Sequence, residues 1–452
     1  MTVGINKVAY IEYFTADQDS ETEFDNSALD QMLTEDELAE IVASDIAIMK
    51  LKQQKSVADY YAAGTGEGGS DNAGGTLFKV VLSPEKEARI RQVKEGGKPT
   101  IGHGLRILDD FQSGVKIPTS VVRRLSEGVD PSTGETLSKK TKSFFDKARH
   151  HPEKLIDKNG EKLKTPRLGY DLTFSIDKAA SVLWTDLRLQ AEKTGDMRLV
   201  RKIENLVETS AAKSIQLMFD NDVFKTRRTI TNSVLDPETG EMKQNRTEYL
   251  EPVLDITSAL YLHKSARPTG NGNSNGDPQL HVHALVFNSV VRQDGTIGAL
   301  ENNELMRMRP VMDAAFKTAF YEGLLEIEEL RHLDIIKRDK VVDIGGIDQK
   351  IIQEFSARRE EILDELDAMD MPHTREASTI AAKNTRRTKD EQPNVQGLLP
   401  EWEAKIAQHS KDGIYADTKK HQREVKEESY TVKLERLAKE VSDIRAFETK
   451  LV

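Results

Sequence analysis

The run Asp277-Pro278-Gln279-Leu280-His281-Val282-His283-Ala284-Leu285-Val286 constrains the fold more than any other segment of the chain. Leu280 to Ser289 is its most strand-like stretch, and on a strand residues i and i+2 point to one face. His281 and His283 therefore project side by side, close enough to share one metal ion. Val282, Leu285 and Val286 supply apolar surface for a sheet and limit the access of water. A third histidine, His263, ends the preceding strand, Ile256 to His263, and antiparallel pairing brings it within reach of the same ion. Taken alone, two histidines two residues apart are most often an exposed pair on a strand. The third imidazole and the rigid Asp277-Pro278 step ahead of the pair shift the reading to a metal centre of His263, His281 and His283. Three neutral imidazoles leave coordination positions open for a substrate, as a catalytic metal requires.

The composition narrows what surrounds such a centre. With 452 residues, 37% of them hydrophobic, the chain is long enough for two or three domains or one large one. It has no cysteine, which excludes disulfides, thiolate metal sites and cysteine nucleophiles, and fits a reducing compartment. It lacks the long apolar run of a membrane span and a secretory signal at Met1 to Tyr10, so a cytoplasmic protein without membrane insertion is expected. Neither the glycine-rich tract Gly64 to Gly75 nor any other segment carries a nucleotide P-loop. The formal net charge of −11 argues against indiscriminate nucleic-acid binding. Charge is unevenly placed, however. Ala16 to Glu40 holds ten acidic residues and no Lys or Arg, whereas basic clusters stand at Arg123-Arg124, Lys139 to Lys142, Arg227-Arg228, Arg358-Arg359 and Lys383 to Lys389. Most of these, taken singly, read as solvated surface.

Along the chain, a short apolar and aromatic piece, Val8 to Phe14, precedes the acidic stretch. Glu35 to Leu51 has helical spacing. Residues 126–166 are turn-rich, with Asp130 to Gly134 a turn and the lysine-rich stretch after it a loop or linker. Gly169 to Phe174 alternates like a strand, Asp177-Lys178 marks a helix start, and a long helix is expected from about Met197 to Met218. Thr226 to Val234 and Arg246 to Val253 read as paired strands. A glycine and asparagine insert, Gly270 to Gly276, precedes the histidine strand, and Asp294-Gly295 signals a hairpin. From Asn303 onward the pattern is helical: 310–332, 348–370, 376–388, and a charged tail over 399–452.

Two further motifs carry chemistry. Tyr60-Tyr61 lies in Val57-Ala58-Asp59-Tyr60-Tyr61-Ala62-Ala63-Gly64. A phenol is a poor nucleophile near neutral pH, but a nearby carboxylate or metal activates it; the plainer role is a tyrosine pair packed at a helix end. Asp171, inside the apolar strand Tyr170-Asp171-Leu172-Thr173-Phe174, is costly unless paired. It can orient a metal-ligating imidazole or act as a general base. Capping the next helix is the alternative, for which Asp177 is better placed.

These motifs, in this order, resemble the MobF-type conjugative relaxases of the HUH endonuclease superfamily. Asp59 to Gly64 resembles the family's tyrosine motif. Gly169 to Trp184 (GYDLTFSIDKAASVLW) resembles its YDLTFS segment, and His263, Arg267 and Asp277 to His283 resemble its three-histidine motif. Arg124-Leu125 with Gly128 to Glu135, and Ile380 to Lys389, resemble weaker family segments. The match departs in three places: Gly270 to Gly276 lengthens the spacing between His263 and His281; nearly sixty residues precede Tyr60, so that Tyr10 or Tyr13 could supply an earlier tyrosine; and no Walker motif is present, where many members of the family carry a C-terminal helicase.

The resemblance implies an α+β fold, with a central antiparallel palm sheet flanked by helices and a helical C-terminal fingers region. It implies an N-terminal segment over 1–58, a catalytic core over 59–335 and helical fingers over 336–452, with no helicase domain because no Walker motif is present. It implies site- and strand-specific nicking of single-stranded plasmid transfer-origin DNA. Tyr60 or Tyr61 would attack the scissile phosphate to leave a 5′-phosphotyrosine, Asp171 would assist, and the strand would later be religated in the recipient cell. The cofactor would be a divalent metal: magnesium or manganese completed by phosphate oxygens, with zinc or nickel, which imidazoles favour by affinity, also able to bind. A type IV secretion coupling protein and accessory DNA-binding proteins would be partners. For DNA, Arg227, Arg228, Arg267, Arg386 and Arg387 are candidate contacts. Phe174, Phe224 and Trp184 are candidate base platforms, though Phe174 and Trp184 weigh toward the core. A rolling-circle replication initiator shares the chemistry. A cupin-type metalloenzyme also uses His-x-His, but the helical pattern after Asn303 opposes it. A non-catalytic DNA-binding adaptor would show no metal requirement and no covalent adduct.

Overall fold

The computed structural model describes residues 4–9, 75–96, 106–108, 112–155, 166–235, 242–272, 274–338, 341–385 and 394–421. At its centre is a five-stranded sheet of β1 (Gly4–Ala9), β2 (Thr76–Lys79), β3 (Arg167–Ser175), β6 (Thr257–Ser265) and β7 (Pro278–Phe287). Strands β4 (Lys225–Leu235) and β5 (Met242–Pro252) form a separate ribbon. The order in the central sheet is β1-β3-β7-β6-β2, and every neighbouring pair is antiparallel. The α+β expectation holds, and the histidine strand β7 is the middle strand.

Period-two alternation divides β7 between two cores. Leu280, Val282, Ala284 and Val286 face one side. There they join Leu172, Phe174, Leu260 and Leu262 under the long helices α4 (Lys178–Thr194), α5 (Arg198–Asp220) and α7 (Arg309–Glu326). His281, His283, Leu285 and Phe287 face the other side. Leu285 and Phe287 pack there with Ala259, Tyr261, Leu125, Phe144 and Phe145. This second layer is built by α1 (Pro84–Glu95), α2 (Thr119–Ser126) and α3 (Lys139–His150). Close approach of β3 to β7 depends on Gly169, where a Cβ would lie 2.4 Å from the Val286 carbonyl oxygen.

Helix α4 begins at Lys178 with Asp177 at its N-cap, as expected. The Asp177 carboxylate does not cap the helix amides, however; it accepts from Tyr321 Oη at 3.1 Å and Lys317 Nζ at 3.2 Å on α7. Gly195, in the left-handed region at φ 76°, ends the helix. The turn at Asp130 to Gly134 and the hairpin at Asp294-Gly295 also form, with Gly134 and Gly295 at φ 74° and 79°.

Three expectations from the sequence need correction. The lysine-rich stretch after Gly134 is the helix α3, not a loop. Ser138 caps it by accepting from the Thr141 amide at 3.2 Å, and Phe144 and Phe145 bury its apolar side. The helical region expected from 336 onward opens instead on strand: Ile335–Arg338 and Val341–Ile344, between the expected helices over 310–332 and 348–370, pair antiparallel, with β-branched Ile335 facing Ile344. The helix expected over 348–370 breaks at Phe355 and Ser356 into α8 (Gln349–Glu354) and α9 (Ala357–Ala368). Helix α6 (Asn303–Arg307) precedes α7. Helices α10 (Arg375–Asn384), α11 (Val395–His409) and α12 (Ile414–Lys420) complete the described chain.

The C-terminal helices are tied to the start of β7. Asp277, 1% exposed, accepts from the Ala357 amide at 2.9 Å, Ser274 Oγ at 2.8 Å and Lys405 Nζ at 3.3 Å. Trp402 of α11 donates from Nε1 to the Gly276 carbonyl at 3.0 Å and packs edge-on to Trp184 of α4. Lys178 donates to the Pro278 carbonyl at 2.9 Å; burial pushes its amine down to about 8, against the pull of Asp277. Removing the Asp277 charge takes away the countercharge that buried Lys178 feels and leaves Lys405 with Glu401 at 3.2 Å. Asp277→Asn is expected to cost about 3–5 kcal/mol of stability, measured as a shift of the urea unfolding midpoint, whereas a change within about 0.5 kcal/mol would show the knot to be dispensable.

Candidate metal centre and nucleic-acid surface

Antiparallel register assembles the three histidines. His263 on β6 pairs directly with His281 on β7. His283 pairs with Tyr261 of β6 on one side and Thr173 of β3 on the other. The ring centroids lie 5.2 Å (His263–His281), 4.6 Å (His263–His283) and 5.1 Å (His281–His283) apart. One nitrogen of each ring falls within 4.8 Å of the others. His263 and His283 are buried and His281 is half-buried, so the cluster sits at the edge of the solvent and not in the core.

Hydrogen bonds fix the tautomers of two rings. His283 Nδ1 is 2.8 Å and 3.0 Å from the two oxygens of Asp171. A carboxylate only accepts, so Nδ1 carries the proton and the lone pair lies on Nε2. His281 Nδ1 likewise donates to the Gln279 carbonyl at 2.9 Å. Two imidazoles held in the Nε2-ligand tautomer, one of them by a carboxylate, are the arrangement that metal-binding histidines adopt. The donor set therefore fits a divalent cation.

Asp171 is fully buried on β3, opposite Leu285 and diagonal to His283 on the same face. Pairing with an imidazole N–H was one of the partners its burial called for. Thr173, two residues on and facing the same way, comes to 3.4 Å from His283 Nδ1 and 3.5 Å from Asp171. Sequence reasoning passed over Thr173, and also the Gln279 carbonyl. The signal for Thr173 was its period-two relation to Asp171; for a main-chain carbonyl there was none.

Other site residues are less gathered. Tyr60, Tyr61, Tyr10, Tyr13, Arg386 and Arg387 lie outside the described residues. Arg267 is half-buried just beyond β6. Arg227 and Arg228 stand on β4, in the ribbon that pairs Lys225–Leu235 with Met242–Pro252. Arg227 bonds Glu301 at 3.0 Å and Glu248 at 3.3 Å, and Arg228 bonds Asp294 at 2.6 Å. The ribbon is roughly 35 Å long and exposed along much of its length, including Ile230 at 42%, Val234 at 52% and Met242 at 63% toward its tip and Tyr249 and Leu250 nearer its base. Phe224 is not a base platform: with Phe174 and Trp184 it is buried in the helix-side core, because it enters β4 from the end of α5.

The TrwC relaxase family model matches residues 51–409, most of the chain and all three histidines. The chain belongs to the TrwC relaxase family. The relaxase is also similar to solved structures of a conjugative relaxase TrwC in complex with oriT DNA. A metal-free form has 20% identity and a TM-score of 0.47, covering 74% of this chain and 98% of that one. A metal-bound form has 19% identity and a TM-score of 0.47 over the same shares. A copper-bound form has 20% identity and a TM-score of 0.46, again over 74% and 98%. No curated protein matches the chain. No helix among the described residues is long and apolar enough to cross a membrane.

Asp171→Asn keeps the shape of the side chain but removes its charge. It is expected to weaken manganese or nickel binding about 10–100-fold in isothermal titration calorimetry, at unchanged thermal stability. Unchanged affinity would separate Asp171 from the metal centre.

Proposed function

We propose that the chain nicks one strand of a plasmid transfer origin through a tyrosine and a divalent metal centre, and later reseals it. The observation that carries this reading is the Asp171–His283 pair within the three-histidine cluster, because it gives a buried carboxylate in an apolar strand a chemical purpose. A divalent cation held by His263, His281 and His283 supplies a Lewis acid for a phosphate oxygen. Asp171 acts as a positioning residue, keeping His283 in the ligand tautomer. Tyr60 or Tyr61 is the nucleophile. Its oxygen forms a bond to phosphorus, the bond from phosphorus to the 3′ oxygen breaks, and the phenolic proton is balanced by the one the 3′-hydroxyl gains. The phosphotyrosine ester preserves the bond energy, so the reverse reaction reseals the strand.

In the same reading residues 59–335 carry the chemistry and the region over 336–452, which includes helices α8 to α12, clasps the DNA. The β4–β5 ribbon is a width that enters a major groove, and its arginines exchange the carboxylates of Glu248, Asp294 and Glu301 for phosphates. Arg267, Arg386 and Arg387 join them. A secretion-system coupling protein and accessory DNA-binding proteins act with it, and the nicking takes place in the cytoplasm before the strand is carried to a recipient. Magnesium or manganese is the working metal.

The test is a labelled single-stranded cognate origin incubated with the chain and manganese or with chelator, then run on a denaturing gel. The wild type is expected to form a metal-dependent covalent adduct. One of Tyr60→Phe and Tyr61→Phe abolishes it, and His281→Ala slows it by about 10²-fold or more. An adduct that survives both tyrosine changes moves the nucleophile to Tyr10 or Tyr13. Absence of any adduct with folded, metal-loaded protein overturns the reading.

A further inference from the structure

The basic cluster at Lys139 to Lys142 has no part in the metal centre. In the fold it opens α3, where Lys139, Lys142, Ser143, Asp146, Lys147 and His150 line a surface cavity of about 470 Å³. Their spacing of three and four residues makes them one helical stripe. The stripe is about 18 Å long, and Phe144 and Phe145 hold the opposite side of the helix in the core. Lys139 also lines a second cavity of about 340 Å³, between the α2–α3 turn and the end of β7. Arg167 and Arg292 line it too, together with Ser138, Thr141 and Ser289, and no carboxylate does. The amino end of α3 opens on this cavity and adds a partial positive charge.

Charge pairing sets these cations apart. Asp146, the single acid of the stripe, is taken by Lys142 at 2.7 Å. Arg167 donates to Tyr170 Oη at 2.7 Å and Arg292 to the Arg227 carbonyl at 3.1 Å. Among the described residues, Lys139, Lys147, Arg167 and Arg292 have no carboxylate partner. In a chain with 76 acidic and 65 basic residues, four such cations along two adjoining cavities form a concentrated positive surface. Its position also matters. Asn288 and Ser289, at the end of β7, line the second cavity together with Lys139, so it lies roughly 17 Å along the strand from His283.

We propose that this stripe and its adjoining cavity hold the phosphates of single-stranded DNA running on from the strand at the metal centre. The inference rests on the reading of the chain as a DNA strand transferase and adds a second phosphate track on the α2–α3 layer. Hydroxyls and a helix amino end suit phosphate oxygens, and a linear row of cations suits a polymer backbone.

The test uses the full chain and a fluorescein-labelled oligothymidine, with binding followed by anisotropy over a range of salt. In the variant Lys139→Gln/Lys147→Gln/Arg292→Gln, the slope of log K against log salt is expected to become shallower by about 2, at about 0.7 per cation lost. Lys139→Arg/Lys147→Arg/Arg292→Lys should keep the wild-type slope, and both variants should bind manganese as the wild type does. A slope unchanged in the glutamine variant overturns the track, and is the result a stripe serving an acidic polypeptide would give. A glutamine variant that also loses manganese binding, or a charge-conserving variant that loses the slope, overturns it as well, since the effect then follows the fold and not the charge. A wild type that forms the metal-dependent adduct on the cognate origin yet binds no oligothymidine at any salt overturns the track alone; one that does neither overturns the strand-transferase reading as well.

Discussion

The pairing of β6 with β7, which sets His263 across from His281, is the constraint on which the site depends. A slip of one residue would turn every side chain of β7 to the opposite face. The histidines would enter the helix-side core, and Leu280, Val282 and Ala284 would be expelled from it. The register is therefore held by apolar packing on the face that carries no chemistry. Helices α4, α5 and α7 select the alternation, and the histidines take their places as a consequence. Gly169 contributes by letting β3 approach β7 closely, which brings Asp171 within hydrogen-bond distance of His283. Stability and function are thus written on alternate residues of one strand.

The metal centre was legible in the sequence because His281 and His283 share one face of a strand by period two and His263 ends the strand before it, so that antiparallel pairing brings the three together. Asp171 was legible for a different reason: a carboxylate in an apolar strand demands a partner, and only its choice of His283 required the structure. Helix α3 was not legible. Its composition is that of a loop, and the two features that make it a helix, the Ser138 cap and the buried Phe144-Phe145 pair, are short signals amid lysines. The hairpin at 335–344 was hidden by helical segments on both sides. Phe224 looked like an available aromatic because burial at the junction of α5 and β4 is a tertiary fact. The insert before β7 was legible as an interruption, but its role was not: Ser274 and Gly276 within it bond Asp277 and Trp402.

That bonding links the two halves of the molecule. Asp277 stands immediately before β7 and receives contacts from α9 and α11, while His281 lies four residues further on. The helical C-terminal region is therefore fastened to the strand that carries two of the three histidines, and rearrangement of those helices would be felt at the metal centre through the start of β7. The cost is several charges held out of water, of which Lys178, pushed down to about 8 by burial, is the clearest.

The sheet register brings three imidazoles together so that one divalent ion can bind all of them. Pulsed electron paramagnetic resonance of the manganese-loaded chain tests it directly, because imidazole nitrogens bound to manganese modulate the electron spin echo. Nitrogen couplings from three imidazoles are expected in the wild type and from fewer in His263→Ala, His281→Ala and His283→Ala, with weaker binding in each. Manganese bound without imidazole coupling, or with coupling indifferent to all three substitutions, would contradict it.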